Sequence, residues 1–295
     1  FMKHFVINSS KDSQKGESIE VEPYLLSTET EGEASEFEII FLFKGIQYRY
    51  GFEATKNQVV AEWLYYKPKT KEVELFYREG DHIETHERNF TKGSTVAKQG
   101  LVRDNALLVS VAAQFNETSA IQVINWFKRL KFLSGLNENG YQGFTLRKTD
   151  SPSQKNKILE LLKAADFGIQ DIKLQKLDID KLPKDMPQEV RDEILREMRD
   201  ENTEFIADVL TMHKKYDENK QQVDSVNFSL DEDESSGTRK FFALTGPILD
   251  VIENGYILLV DELDSKLHPN LVCKIVSLFN SDQLNPKNAQ LIFNT

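Results

Sequence analysis

A chain of 295 residues, 39% hydrophobic and 29% charged, is long enough to bury a real core in more than one lobe, which excludes the disordered and collagen-like classes. The 48 acidic residues against 37 basic ones leave a formal net charge of −11, so broad adhesion to nucleic acid backbones or anionic membranes is unsupported, and any nucleic acid contact would be local. No run approaches the roughly 20 apolar residues that span a bilayer, so no membrane association is expected. The single cysteine, Cys273, fits a reducing cytoplasm.

In chain order, residues 1–7 read as the last turns of an amphipathic helix. Residues 17–38 hold eight glutamates and no lysine or arginine, with Ser27, Thr28, Thr30 and Gly32 between them, the composition of a solvated loop. Residues 37–43, 47–52, 59–66 and 72–76 follow, rich in aromatic and β-branched side chains and separated by Lys44-Gly45, Thr55-Lys56-Asn57 and Pro68-Lys69-Thr70. Short strands so spaced predict an antiparallel meander.

The texture then turns helical. Residues 106–114 are an apolar run interrupted only by Ser110 and closed by Gln114, and Ser119 is placed to cap a helix carrying Ile121, Ile124, Phe127 and Leu130 until Gly135 ends it. A second helix is expected over 154–165 with Gly168 as terminator, and a third from Pro187 to about position 202, with Val190, Ile194 and Met198 spaced four apart. Residues 209–216 and 223–230 flank Asp217-Glu218-Asn219-Lys220 and read as a hairpin. Helix is the alternative for the first arm, because Phe205, Val209 and Met212 also fit a 3.6-residue period.

The segment Tyr256-Ile257-Leu258-Leu259-Val260-Asp261-Glu262 carries the chemistry. An apolar run ending in two acids suits a strand buried in a parallel sheet, whose carboxyl end opens on the crevice where α/β folds bind ligands. There one carboxylate can hold the water shell of Mg²⁺ and the other can orient or deprotonate an attacking water. On this segment alone, a strand that merely ends at a polar surface fits equally well. Upstream, Glu234-Ser235-Ser236-Gly237-Thr238 precedes a helix through Phe241, Leu244, Ile248 and Ile252 to Asn254-Gly255. Small hydroxyl residues and a glycine leave backbone N–H groups uncovered at a helix start, a place suited to phosphate. An ordinary serine cap has the same appearance, but does not explain why the helix leads directly into a strand ending in Asp-Glu.

Taken together, Ser235-Ser236-Gly237-Thr238, one helix, and then "ILLVDELDSKLHP" from Ile257 to Pro269 resemble the signature motif, Walker B strand and D-loop of ABC-type ATPases. The resemblance is to the branch that includes RecF and SMC proteins, and within it to prokaryotic ATP-binding proteins of abortive-infection and other defence loci. "NALLVSVAAQFN" at 105–116 and "AADFGIQDI" at 164–172 are also similar to that family.

The resemblance implies an α/β fold, α+β overall: an ABC-ATPase-like P-loop NTPase core with an antiparallel β lobe and a helical insertion. Its parts would be the tail of the P-loop helix (1–16), the β lobe (17–95), a mainly helical lobe with a terminal hairpin (96–225), and the signature helix, Walker B strand and D-loop (226–295). It implies ATP and Mg²⁺ as cofactors. Asp261 would be the Mg²⁺-associated acid and Glu262 the catalytic residue that polarises water. Ser235, Ser236, Gly237 and Thr238 would meet nucleotide held by the opposite subunit, with Ser265 and His268 in the D-loop at that interface and Gln114 as the Q-loop glutamine. The partners implied are a second copy of the chain, in a homodimer or higher homo-oligomer closed by a nucleotide sandwich, and an effector nuclease.

None of the 14 glycines lies in a G-x-x-x-x-G-K motif followed by Ser or Thr, and Lys92-Gly93-Ser94-Thr95 has its lysine before the glycine. The switch histidine that follows a strand such as 291–294 is also not in the sequence. The expectation is therefore an internal fragment of a longer ATPase, inactive alone. Two alternatives stand beside a hydrolysing, cytoplasmic ATPase: a non-hydrolysing nucleotide-sensing scaffold, and a RecF-like DNA-repair ATPase.

Other groups carry weaker patterns. His82 and His86 with Glu84 and Glu87 have a metal-like spacing in a segment that reads as strand or loop. Asp231 to Glu234 places four acids beside the expected phosphate site. Trp63, Tyr65, Tyr66 and Phe76 could stack bases, but alternate strand positions of this kind favour a core.

Overall fold

The computed structural model describes residues 1–136, 139–165, 167–176, 188 and 206–295. The fold is mixed α/β, and the chain divides into two compact units, 1–130 and 131–295. The expected boundaries at 16, 95 and 225 fall inside these units. The helix expected from Pro187 lies, apart from position 188, outside the described residues.

The first unit begins with helix α1 (Met2–Asn8) and continues as a meander of β1 (Ser35–Phe43), β2 (Ile46–Ala54), β3 (Val59–Lys67), β4 (Val73–Glu79) and β5 (His82–Thr85), hydrogen-bonded in sequence order with antiparallel pairing throughout. Lys44 and Gly45 both have positive φ, 51° and 77°, which matches the right-handed twist of the β1–β2 hairpin they join. Helices α2 (Thr91–Lys98), α3 (Leu108–Gln114) and α4 (Thr118–Lys128) complete the unit. Period-two alternation turns Tyr48, Tyr50, Phe52 and Ala54 of β2 inward. On this face α4 lays Trp126 over Phe41, with ring centroids 4.1 Å apart, and sets Phe127 edge-on to Tyr50.

One acid lies inside this core. Glu62 on β3 is fully buried and accepts hydrogen bonds from the N–H groups of Leu108 (2.6 Å) and Val109 (3.0 Å) at the start of α3 and from the Tyr50 hydroxyl (3.0 Å). Arg78, equally buried, stands 3.9 Å away and donates to the carbonyls of Gly80, Ala106 and Arg103. Burial pushes the Glu62 carboxyl above its ordinary value, against the opposing pull of Arg78 and the hydrogen bonds.

Two local expectations are corrected here. The cap of α4 is Glu117, which accepts from Ser119 N–H and also from Lys92 and Gly93 N–H on α2, while Ser119 is buried inside the helix. The helix does not run to Gly135: it ends at Lys128, and Leu130–Ser134 forms strand β6. Its apolar positions suit either period, and hydrogen bonding to a neighbouring strand decides for β.

The second unit contains α5 (Asn139–Thr149), α6 (Pro152–Ala164), β7 (Ile169–Lys176), β8 (Ile206–Tyr216), β9 (Gln222–Ser229), α7 (Ser236–Asn254), β10 (Ile257–Asp261), α8 (Pro269–Phe279) and β11 (Gln290–Phe293). Strands β7, β8 and β9 form an antiparallel sheet, so 206–216 is strand and not the helix held as its alternative. The other sheet has the order β11-β10-β6, with β10 and β11 parallel.

Helix α7 runs through the core of this unit, with Phe241, Phe242, Leu244, Ile248, Val251 and Ile252 buried. Pro247 inside it cannot donate to the Ala243 carbonyl four residues earlier. The buried Thr145 hydroxyl of α5 donates to that carbonyl instead (2.7 Å) and accepts from Gly246 N–H (3.1 Å), an approach open only because residue 246 lacks a Cβ. The helix ends at Gly255 in the left-handed conformation, φ 64°, and leads at once into β10.

Candidate functional site

Strand β10 is the middle strand of its sheet, and its burial follows from its sequence. Ile257, Leu258 and Val260 are buried, whereas Asp261 and Glu262 emerge exposed at its carboxyl end. The backbone turns sharply there, since Glu262 has φ 52°, an uncommon conformation for a non-glycine residue.

Neighbouring strands hold this corner from two sides. From just past the end of β6, Gly135 N–H donates to the Asp261 carbonyl at 2.7 Å. A Cβ on Gly135 would lie 2.6 Å from the Glu262 carbonyl carbon and closer still to its oxygen, so only glycine fits. From the end of β11, Asn294 Nδ2 donates to Asp261 Oδ1 (2.7 Å) and Asn294 Oδ1 accepts from Glu262 N–H (2.6 Å). The Asn294 backbone adds two bonds, its N–H to the Val260 carbonyl and its carbonyl to Leu263 N–H. The orientation of the amide is thus dictated: Glu262 N–H requires the oxygen, which turns the NH₂ group to the Asp261 carboxylate.

Asp261 is exposed and its Oδ2 makes no hydrogen bond among the described residues. A single accessible carboxylate of this kind fits Mg²⁺, which keeps most of its water and takes one or two protein carboxylates plus phosphate oxygens. Glu262 is exposed beside it. Among the described residues no group of three or more His, Cys, Asp or Glu gathers around His82 and His86, and His82 pairs with Glu84 on β5.

Ser235 caps α7: its Oγ accepts from Thr238 N–H at 3.1 Å and lies 2.8 Å from the Thr238 hydroxyl. Ser236 and Gly237 form the first turn, where helical N–H groups lack intrahelical acceptors. The acids beside this turn are partly engaged. Glu234 accepts from the Thr211 hydroxyl (2.6 Å) and His213 Nε2 (2.7 Å) on β8, and Asp233 accepts from Ser229 N–H (2.7 Å). Two of the four carboxylates expected to burden a phosphate site are therefore tied to the neighbouring sheet. The loop after β10 carries Ser265, half-buried, and His268, whose Nδ1 accepts from Asn270 N–H and so caps α8.

Gln114 is the last residue of α3 in the first unit, where its Nε2 donates to the Ser10 hydroxyl at 2.8 Å. Of the possible stacking aromatics, Trp63 and Phe76 are core, with Trp63 Nε1 donating to Glu38 (2.7 Å).

Sequence reasoning missed Gly135, Asn294 and Lys240 as site residues. Gly135 was legible only as a helix stop, and Asn294 only as the end of a strand. Lys240 had a clearer signal, a cation on the apolar side of a core helix four residues after Ser236.

With this geometry in place, the chain matches, over residues 4–295, the family described as "AAA domain, putative AbiEii toxin, Type IV TA system". The chain belongs to this family. Membership places it among AAA-type, P-loop NTPase-like proteins of toxin and abortive-infection systems, a class that binds nucleotide with Mg²⁺. Comparison with curated proteins gives no match. No helix among the described residues is long and apolar enough to cross a membrane.

Proposed function

We propose that this protein is an ATP-hydrolysing member of its family, in which nucleotide closes two copies head to head and hydrolysis reopens them, gating an effector nuclease in antiviral defence. The supporting observation is the Asp261–Glu262 corner, held by Asn294 and Gly135 at the carboxyl end of the central strand. Mg²⁺ bound with the nucleotide would supply charge stabilisation at the phosphoryl oxygens, and Asp261 is the residue to hold it through its water shell.

Glu262 has the chemistry to orient the attacking water and accept its proton, and its fixed backbone makes that orientation reproducible. The backbone N–H groups of Ser236 and Gly237, at the positive end of a 19-residue helix, suit the terminal phosphate of a nucleotide carried by the second copy. With Ser235 Oγ occupied as a cap, its contribution is to shape that turn.

The test is ATP turnover with Mg²⁺ for the full-length wild-type protein and Glu262→Gln, alongside nucleotide-dependent self-association. The expected result is lost turnover with self-association retained. Equal turnover in both proteins sinks the role given to Glu262.

A further inference from the structure

Lys240 is about 1% exposed, yet it carries a cation into the core of the second unit. It lies on α7 one turn after Ser236 and Gly237, on the same helix face. Its ammonium donates to two carbonyls of the loop after β10, those of Leu263 (3.3 Å) and Ser265. Beside it, the loop presses on the glycine of the same helical turn: a Cβ at Gly237 would lie 3.1 Å from the Lys266 carbonyl oxygen. Lys266 has φ 60°, so its peptide is turned unusually where it meets α7. The Leu263 residue held by Lys240 also donates its N–H to the Asn294 carbonyl, and Asn294 grips Asp261 and Glu262. A continuous set of hydrogen bonds therefore runs from the first turn of α7, through Lys240 and the 262–267 loop, to the acidic corner.

Burying an ammonium is costly unless it is fully bonded, and an apolar residue of similar size would fill the same space without that cost. What the ammonium adds is a directed link between two backbone segments. We propose that Lys240 is a positioning residue that locks the Ser235–Gly237 turn and the 262–267 loop into one body. Contact of nucleotide with the turn then sets the placement of Glu262 in the same copy. This rests on the ATPase reading above, and it adds that the two motifs act as a unit through one buried cation.

The experiment uses the full-length protein with ATP and Mg²⁺, comparing wild type, Lys240→Met and Lys240→Arg for kcat, nucleotide affinity and thermal unfolding. Wild-type turnover is the check on the underlying reading: without it the ATPase proposal itself fails. Given wild-type turnover, Lys240→Met is expected to keep nucleotide affinity within about threefold while kcat falls at least about tenfold, the scale of a sub-ångström misplacement. Lys240→Arg, which keeps the charge and the donors, is expected to recover most of kcat. The proposal is overturned if Lys240→Met keeps wild-type kcat, or if affinity and kcat fall together in step with the unfolding temperature. Should Lys240→Met not fold, Lys240→Gln is judged by the same criteria, and a protein that folds with neither substitution assigns the lysine to stability alone and overturns the proposal.

Discussion

Replacing Gly135 with alanine tests whether β6 sets the geometry of the acidic corner. The new methyl carbon would sit 2.6 Å from the Glu262 carbonyl carbon, 2.7 Å from the Asp261 oxygen and closer still to the Glu262 oxygen, all rigid backbone atoms. Ordinary contacts of this kind lie near 3.5 Å, so relief requires a displacement of more than about 1 Å. The hydrogen bond from Gly135 N–H to the Asp261 carbonyl opposes that separation. The stability cost of such overpacking is about 1–3 kcal/mol. A displacement of about 1 Å at reacting groups lowers turnover by about a hundredfold. The assay is Mg²⁺-dependent ATP turnover of full-length Gly135→Ala, with circular dichroism and nucleotide binding to verify that the fold and the binding persist. Gly140→Ala is the control, because a Cβ at that position on α5 meets nothing within 4 Å and should leave turnover unchanged. Turnover of Gly135→Ala within about threefold of wild type would refute the argument that this glycine positions Glu262.

Asn294→Ala removes both side-chain bonds to the corner and should lower turnover by about 10- to 100-fold while raising the Mg²⁺ concentration needed for half-maximal rate, read from a Mg²⁺ titration. Thr145→Val leaves the Ala243 carbonyl and Gly246 N–H without their partner and should cost about 1–3 kcal/mol in denaturant unfolding, with any loss below about 0.5 kcal/mol counting against the Pro247 compensation. Glu62→Ala strands the buried Arg78 and the start of α3, with an expected loss of about 3–5 kcal/mol. Because burial raises the Glu62 carboxyl above its ordinary value of 4.5, its stability contribution is fully present below that value and is lost as pH rises through the raised one. The unfolding free energy of wild type relative to Glu62→Gln should therefore fall as pH rises from 4.5, and a flat or rising difference would show that the carboxyl is not raised.

The elements legible in the sequence are those encoded by local pattern. The meander over 35–79 follows from period-two alternation and turn residues such as Lys44-Gly45. Helix α7 and strand β10 were likewise readable, because a serine cap, an apolar stripe, a left-handed glycine and an apolar run ending in acids are all contiguous signals. Helices α2 and α5 and strand β7 gave no comparable signal; α5 has almost no amphipathic pattern, and its bond to α7 is made by a polar side chain, the buried hydroxyl of Thr145. The segment after α4 was read with the wrong period, since a short apolar run fits helix or strand equally until a partner strand is present.

The sequence by itself determined which groups the proposed chemistry is built from, an Asp-Glu pair at the end of a buried strand and a serine-glycine turn at the start of the preceding helix. Tertiary structure alone decided what holds those groups in place. Gly135, Asn294 and Lys240 reach different atoms of one short segment, residues 260–265, from just past β6, the end of β11 and α7, and no spacing along the chain records that convergence. The physical reason is that helix and strand formation depends on neighbours a few residues apart, whereas the orientation of a carboxylate depends on hydrogen bonds and steric limits supplied by whichever segments the fold brings against it.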